Sequence, residues 1–316
     1  MRQNETIDIL IPAYNAENYI KTCLDSLLSQ TYKNVRIVVA EDGSKDSSLS
    51  LLKEYAKKYK NVEVYPKQNE ANISKTRNFL LNKIKSKYFT FFDVDDYAEP
   101  TYIETLYSLL ISYNADISIC GRLRHPENKP PKLDNLLGND QPIMFFNKQE
   151  AVAELLSSNL FNGSACAKLY KTESLKNVDF DPNIHYGEDL DFCFKIMQNC
   201  ENFVYSPKPL YHYIIRKNSL VTSKFNLKKV TCVDCYDKII NAVKDDPILL
   251  TCAKSMQGLI AIEILYYTWR DKYKDKQLKH RLKTNIKESI PHIKKNKRLT
   301  TLYRCTPIVW WLTKFM

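Results

Sequence analysis

Residues 88–100 read Tyr88-Phe89-Thr90-Phe91-Phe92-Asp93-Val94-Asp95-Asp96-Tyr97-Ala98-Glu99-Pro100. A near-continuous apolar run breaks straight into three acids within four residues. Such a run suits a strand covered on both faces of a parallel sheet. Acids at its carboxyl end lie where open α/β sheets bind ligands. Like charges this close must be offset by a cation or by shifted pKa values. A hard divalent ion with oxygen ligands, Mg²⁺ or Mn²⁺, is the natural partner. One Asp-x-Asp pair suffices if the substrate brings a diphosphate, because Mg²⁺ takes few protein carboxylates. The alternative is a helix start: Asp95, Asp96, Glu99 and Pro100 all favour a helix from Thr101.

Upstream, the same rhythm repeats. Ile7–Ile11 is a short apolar run ending at Pro12, and Ile20, Cys23, Leu24, Leu27 and Leu28 follow at helical spacing. Val35–Ala40 is a β-prone run that breaks at Glu41-Asp42-Gly43-Ser44, before a helix from Ser47 to about Tyr59. Val62–Tyr65 is the third strand, and 73–84 reads as a helix. Strand, helix, strand in this order predicts a doubly wound α/β layer. No Gly-x-Gly-x-x-Gly follows the first strand, which disfavours a dinucleotide dehydrogenase. Residues 122–141, rich in Pro, Asn and Lys, read as a surface excursion or a mobile loop, with order resuming near Asn147. From Leu227 the spacing is mainly helical.

Two further clusters carry polar chemistry. Tyr186-Gly187-Glu188-Asp189-Leu190-Asp191-Phe192 is either a site or a plain helix start backed by Phe192, Ile196 and Met197. Tyr211-His212-Tyr213, followed by Arg216, Ser219 and Thr222, holds a histidine that is either a ligand or a core residue.

Taken in order, IPAYNAENYI (11–20), EDGSKDSS (41–48), SKTRN (74–78), FFDVDDYAEP (91–100), GEDLDF (187–192) and YHYIIRKNS (211–219) resemble the family 2 glycosyltransferases. That family has the nucleotide-diphospho-sugar transferase fold called GT-A. The resemblance runs from about Ile7 to Ser223. It implies a Rossmann-like, mostly parallel sheet with flanking helices over 1–223, with a nucleotide-sugar half (1–121) and an acceptor half (122–223). Residues 224–316 form a helical C-terminal region. It also implies an inverting, metal-dependent enzyme that moves a sugar from a UDP-sugar to a hydroxyl of a surface glycan or lipid-linked precursor. Pro12, Ala13, Tyr14 and Glu17 would line the nucleoside. Asp42 would accept from the uracil N–H, and Arg77 would lie beside base and diphosphate. Asp93 would sit near the ribose or metal, Asp95 and His212 would bind Mn²⁺ or Mg²⁺, and Arg216 and Ser219 would hold the diphosphate. Asp189 would be the catalytic base, Glu188 would position the acceptor or the base, and Asp96 would face the acceptor or support the turn. Asn72 and Ser74 depart from the glycine common in that loop of the family. No Gln-x-x-Arg-Trp motif of the processive synthases is present, which favours transfer of one sugar per encounter.

Charge and cysteine usage complete the reading. The net charge is +11, and residues 270–316 hold 14 Lys and Arg against three Asp and Glu, so the excess belongs to the tail. Nine scattered cysteines point to a reducing compartment, with Cys232 and Cys235 read as helix cysteines. No secretory signal and no spanning segment is expected, so the enzyme would be cytoplasmic and peripheral on the inner face of the membrane. The tail would dock on an anionic surface. The basic blocks, including Lys294, Lys295, Lys297 and Arg298, would supply charge, and Leu299, Leu302, Trp310, Trp311 and Phe315 would supply anchors. A homo-oligomer interface is the alternative for this region. The balanced body argues against nucleic acid. A nucleotidyltransferase and a silent binding subunit are the competing functions. The first lacks its Gly-rich basic loop after strand one, and the second sits poorly with the intact acids.

Overall fold

The structure is a computed structural model that describes residues 5–127, 142–216 and 224–299. Its chain divides into two compact units. The first holds 1–148, 164–182 and 195–217, and the second holds 149–163, 183–194 and 218–316. Residues 149–163 and 183–194 thus group with the C-terminal helices, a division that a single boundary near residue 223 does not describe.

The first unit is built on nine strands. Its elements begin β1 (Ile7–Ala13), α1 (Ile20–Leu28), β2 (Val35–Glu41), α2 (Ser48–Lys58), β3 (Val62–Pro66), α3 (Ile73–Leu81), β4 (Tyr88–Phe91), β5 (Tyr97–Ala98) and α4 (Tyr102–Ser112). The chain continues with β6 (Ile117–Pro126), β7 (Met144–Asn147), α5 (Lys148–Ser157), β8 (Lys168–Lys171), α6 (Glu188–Gln198) and β9 (Asn202–Ile215). The sheet order is β3-β2-β1-β4-β8-β6-β9-β5, with β7 on β9. β3, β2, β1 and β4 run parallel, β8 is antiparallel to β4 and β6, and β6 and β9 are again parallel. This is the α/β layer that the alternation predicts, in the GT-A-like form that the resemblance implies.

Every residue of β1 is buried, as a central strand covered on both faces requires. Each such Ile or Leu contributes about 1.5–3 kcal/mol by leaving water, so a charge at Ile9 would break the layer. Asp8 is fully buried yet held by the Arg36 guanidinium at 2.6 Å, the Lys85 N–H at 2.7 Å and the Ser86 hydroxyl at 2.6 Å. It lies at the amino end of β1, away from the carboxyl ends where ligands bind, and anchors structure. α3 begins where Asn72 accepts from the Lys75 N–H, an ordinary N-cap.

One expectation needs correcting. Residues 122–126 are not an excursion but the second half of β6, paired from Arg122↔Tyr211 to Pro126↔Ile215. A register shift at Gly121 separates the halves. A Cβ there would meet the Pro207 carbonyl oxygen at 2.4 Å, so only glycine fits. The long partner strand overrides a charged, Pro-bearing composition. Most of the rest of that expected excursion lies outside the described residues.

The second unit takes nearly all of α5 and the first part of α6 and adds α7 (Thr231–Ala242), α8 (Pro247–Arg270) and α9 (Lys276–Lys295). Asp246 caps α8 by accepting from the Ile248 and Leu249 N–H groups, and Asp275 caps α9. Their core joins Val230, Val233, Ala261, Ile264, Leu265, Leu278, Leu282 and Ile286. Against the sequence expectation, α8 is long and apolar enough to cross a membrane by length and composition. However, Ala253, Gly258, Ala261 and Leu265 are buried in this core, so we read it as the central helix of the unit. Leu299, expected as a membrane anchor, is buried as well, and Arg298 before it pairs with Glu154 at 3.0 Å. Leu302, Trp310, Trp311 and Phe315 lie outside the described residues. The cysteines of the described residues are free thiols, Cys232 and Cys235 among them, both on α7.

Candidate active site

At the carboxyl ends of β1 and β2, two loops are stitched together. The Asn15 N–H donates to Ser44 Oγ at 2.9 Å, and the Ala16 N–H donates to Ser48 Oγ at 2.7 Å. The Glu17 carboxylate accepts from the Ser47 N–H at 2.9 Å, while its own N–H donates to Asp46. Asn15 takes φ 47°, which asparagine tolerates best after glycine. Pro12 and Ala13 end β1 and are buried, whereas Tyr14 is 47% exposed. Asp42 is nearly buried and accepts from Lys67 Nζ at 2.9 Å, and its N–H donates to the Ala13 carbonyl. Gly43 has φ +69°, and a Cβ would meet the Asn69 nitrogen at 2.9 Å. Tyr14 therefore offers an open face beside a rigid acid. Glu17 holds the loop instead of facing outward.

The acidic turn after β4 is fixed by a residue that sequence reasoning missed. Tyr211, fully buried on β9, donates its hydroxyl hydrogen to Asp96 Oδ2 at 2.7 Å. Its oxygen accepts from the Asp93 N–H at 3.3 Å. The other Asp96 oxygen accepts from the Ile214 N–H at 2.9 Å. Asp96 is 2% exposed with both oxygens bonded to β9, so of its two expected roles the geometry favours supporting the turn over facing the acceptor. Burial first, then the Asp93 and Asp95 charges, push its carboxyl up to about 8, against the Tyr211 hydrogen bond.

Asp93 and Asp95 are the open members of the turn, with side chains 28% and 45% exposed. Arg77 Nη2 lies 3.3 Å from Asp93, and the guanidinium sits over Phe180. Arg216 Nη1 lies 2.7 Å from Asp95 Oδ2, and Nη2 donates to the Asp95 carbonyl. Arg216 also stacks over Tyr19, 4.0 Å from the ring centroid. Burial and the neighbouring Asp93 raise the Asp95 carboxyl, and Arg216 opposes them. Two carboxylates that repel each other, held beside two guanidiniums, suit a divalent cation completed by diphosphate oxygens. Asp93 and Asp95 fit that role.

His212 does not fit it, and this expectation is also corrected. The ring is 1% exposed and stacks on Tyr97. Nε2 lies 2.7 Å from Glu99 Oε1 and Nδ1 lies 3.2 Å from His125 Nε2. Both nitrogens are taken by protein partners, and burial lowers the ring's pKa against the pull of Glu99. The reason is β5, which pairs Tyr97 with His212 and brings Glu99 alongside. Among the described residues no group of three His, Cys, Asp or Glu side chains is gathered around a metal position. Ser219 lies outside the described residues.

The second unit carries Glu188 and Asp189, the first residues of α6. Gly187 before them has φ +89°, and a Cβ would lie 3.2 Å from Cys232 Sγ. The Thr231 hydroxyl accepts from the His185 and Tyr186 N–H groups, tying the turn to α7. Asp191, one turn inside, is 4% exposed and belongs to the packed side of the helix.

A sheet with an Asp-x-Asp turn after its fourth strand sets acids where open α/β sheets bind ligands. The profile of Glycosyl transferase family 2 matches residues 8–179, and the chain belongs to that family. Glycosyltransferase GlyA of Streptococcus pneumoniae is 37% identical over 227 residues, 70% of this chain and 32% of GlyA. The poly(ribitol-phosphate) beta-glucosyltransferase of Bacillus spizizenii is 28% identical over 243 residues, 75% of this chain and 37% of that protein. The chain thus spans about a third of each of these two relatives. Among solved structures, Staphylococcus aureus TarS 1-349 in complex with UDP-GlcNAc superposes with TM-score 0.68 at 17% identity. The match covers 98% of this chain and 88% of that one, a likeness of fold.

Proposed function

We propose that the chain is an inverting glycosyltransferase that moves one sugar from a UDP-sugar to a hydroxyl of a surface glycan or lipid-linked precursor. The observation that carries the reading is the turn in which Asp93 and Asp95 stand open beside Arg77 and Arg216. Support for the donor comes from the UDP-GlcNAc bound to TarS. Support for the acceptor comes from the relative named for poly(ribitol-phosphate). The nucleoside is read against Tyr14 and Asp42, between the two stitched loops.

In the reaction, Asp189 accepts the proton of the acceptor hydroxyl, whose oxygen attacks the anomeric carbon from the face opposite the diphosphate. The bond from that carbon to the diphosphate oxygen breaks, UDP leaves, and the configuration inverts. Glu188 positions the acceptor. Arg77 and Arg216 meet the charge that grows on the departing diphosphate, and charge-assisted Arg–phosphate bonds strengthen as it grows. Asp93 and Asp95 would hold Mn²⁺ or Mg²⁺, which would supply Lewis-acid stabilisation of that same charge.

The chain also docks peripherally on an anionic membrane face. Within the described residues the motivating surface is the corner between α8 and α9, not the buried Leu299. Tyr266 and Trp269 are 42% and 50% exposed. A cavity of about 570 Å³ there is lined by Trp269, Arg270, Lys272, Tyr273, Lys274 and Lys279, with Thr268. Aromatic rings amid lysines favour the headgroup region.

A panel of nucleotide sugars, incubated with full-length protein and Mn²⁺ and scored for released nucleotide, tests the reading. UDP release from at least one UDP-sugar is expected. Release of pyrophosphate from a nucleoside triphosphate and sugar phosphate would favour the nucleotidyltransferase instead.

A further inference from the structure

The face of the sheet that carries the acid turn also carries two arginines outside every role assigned above. In the β6–β9 ladder Arg122 pairs with Tyr211 and Arg124 with Tyr213. Paired residues project to one side of a sheet, and residues two apart share a face. Arg122, Arg124, Tyr211 and Tyr213 therefore share the face on which the Tyr211 hydroxyl grips Asp93 and Asp96. His212 and its partners occupy the other. Both guanidiniums lie over the Tyr213 ring, 5.0 Å and 5.3 Å from its centroid. Burial, Asp96 and Asp95 all raise the Tyr213 hydroxyl's pKa and the two arginines oppose them, so this ring feels the acid turn directly.

Charge matching sets these arginines apart. Arg77 and Arg216 each face a carboxylate, at Asp93 and Asp95. Arg36 faces Asp8 and Glu63. Among the described residues Arg122 and Arg124 have no carboxylate within ion-pair distance; their contacts are with Tyr213. Arg122 is half-buried and Arg124 exposed, so one is partly desolvated and both are reachable. Two guanidiniums held on one aromatic ring, two residues apart on a rigid strand, match phosphate geometry. The donor's diphosphate already has Arg77, Arg216 and the cation for its charge.

We propose that Arg122, Arg124 and Tyr213 form a second phosphate-binding shelf, which holds a phosphate group of the acceptor beside the donor site. The chemistry recognised is a phosphodiester or phosphomonoester next to the sugar-accepting hydroxyl. The assignment to the acceptor rests on the glycosyltransferase reading, whereas phosphate binding by the shelf does not.

Calorimetric titration of the full chain tests this, using a short glycerol phosphate oligomer, an uncharged maltooligosaccharide and UDP with Mn²⁺ as three separate probes. The wild type should bind the phosphate oligomer and not the uncharged sugar. The double substitution Arg122→Gln with Arg124→Gln should weaken oligomer binding about tenfold or more, the loss of a charged hydrogen bond. UDP affinity should stay within about twofold, which also shows that the variant is folded. Arg122→Lys with Arg124→Lys should keep part of the oligomer binding, because charge survives without the planar fork. Unchanged oligomer binding in the glutamine variant would overturn the shelf. An equal fall in UDP affinity, with a normal melting curve, would assign the arginines to the donor and overturn the acceptor role. UDP binding absent from the wild type, with oligomer binding lost in the variant, would uphold the shelf and refute the proposed donor.

Discussion

Replacing Tyr211 by Phe removes one oxygen from the centre of the acid turn and leaves its packing in place. The ring touches Phe92 at 4.8 Å and Tyr102 at 6.0 Å between centroids, contacts that Phe keeps. What goes is the 2.7 Å bond to Asp96, a carboxylate 2% exposed, and the 3.3 Å bond from the Asp93 N–H. At about pH 9, above the raised Asp96 value, the bond is to a charged group and contributes about 1.5–3 kcal/mol. Asp96 keeps its Ile214 N–H partner, so we expect a loss of about 2 kcal/mol. For a unit of this size that lowers the melting temperature by about 4–8 °C. Tyr102→Phe is the control: its hydroxyl meets the neutral Thr90 hydroxyl at 3.2 Å, and its loss should cost about 1 kcal/mol. Differential scanning calorimetry reads both. Turnover should fall in Tyr211→Phe, because Asp93 loses the anchor of its backbone. A Tyr211→Phe protein that melts within about 1 °C of wild type and keeps full UDP release would refute the view that β9 fixes the turn.

Asp189→Asn should lower kcat by about two to four orders of magnitude at saturating acceptor, with UDP-sugar affinity little changed. Equal rates would remove Asp189 from the role of base. Gly187→Ala forces a side chain onto φ +89° and a Cβ to 3.2 Å from Cys232 Sγ. It should cost about 1–2 kcal/mol and depress turnover more than UDP binding, and an unaltered melting curve would show that the turn is not constrained. Tyr266→Ala with Trp269→Ala should weaken co-sedimentation with anionic vesicles while leaving UDP release intact. These point substitutions replace truncation before α9, which would strip Leu278, Leu282 and Ile286 from the core of the second unit. Vesicle binding as strong as wild type would place the anchor elsewhere.

The strand–helix rhythm of the first hundred residues was legible because central parallel strands are almost purely apolar, as in Ile7–Ile11 and Val35–Ala40, and polar residues then cluster at their ends. The placement of Asp93 and Asp95 at a strand end was legible for the same reason, and motif order implied the neighbourhood of Arg77. The fate of His212 was not. It depends on β5, two residues long, whose pairing with β9 carries no periodic signal and which brings Glu99 to the ring. The Tyr211–Asp96 lock likewise joins positions 115 apart in sequence. Residues 122–126 looked like a loop because Arg122, Arg124 and Pro126 are poor strand formers in isolation, and only the long edge of β9 makes them a strand. The grouping of 149–163 with the C-terminal helices involves long-range contacts such as Arg298 to Glu154, which no local pattern announces.

The central claim is that Asp95 serves a metal-dependent transfer from a nucleotide sugar. The direct measurement is UDP release by full-length wild type and by Asp95→Asn, each titrated with Mn²⁺ after treatment with chelator. Wild type should be silent in excess chelator and recover as Mn²⁺ is restored. Asp95→Asn should stay at least about a hundredfold slower at every Mn²⁺ concentration, a deficit of about 2.7 kcal/mol in transition-state stabilisation. Full release by wild type in excess chelator, or wild-type rates in Asp95→Asn, would contradict it.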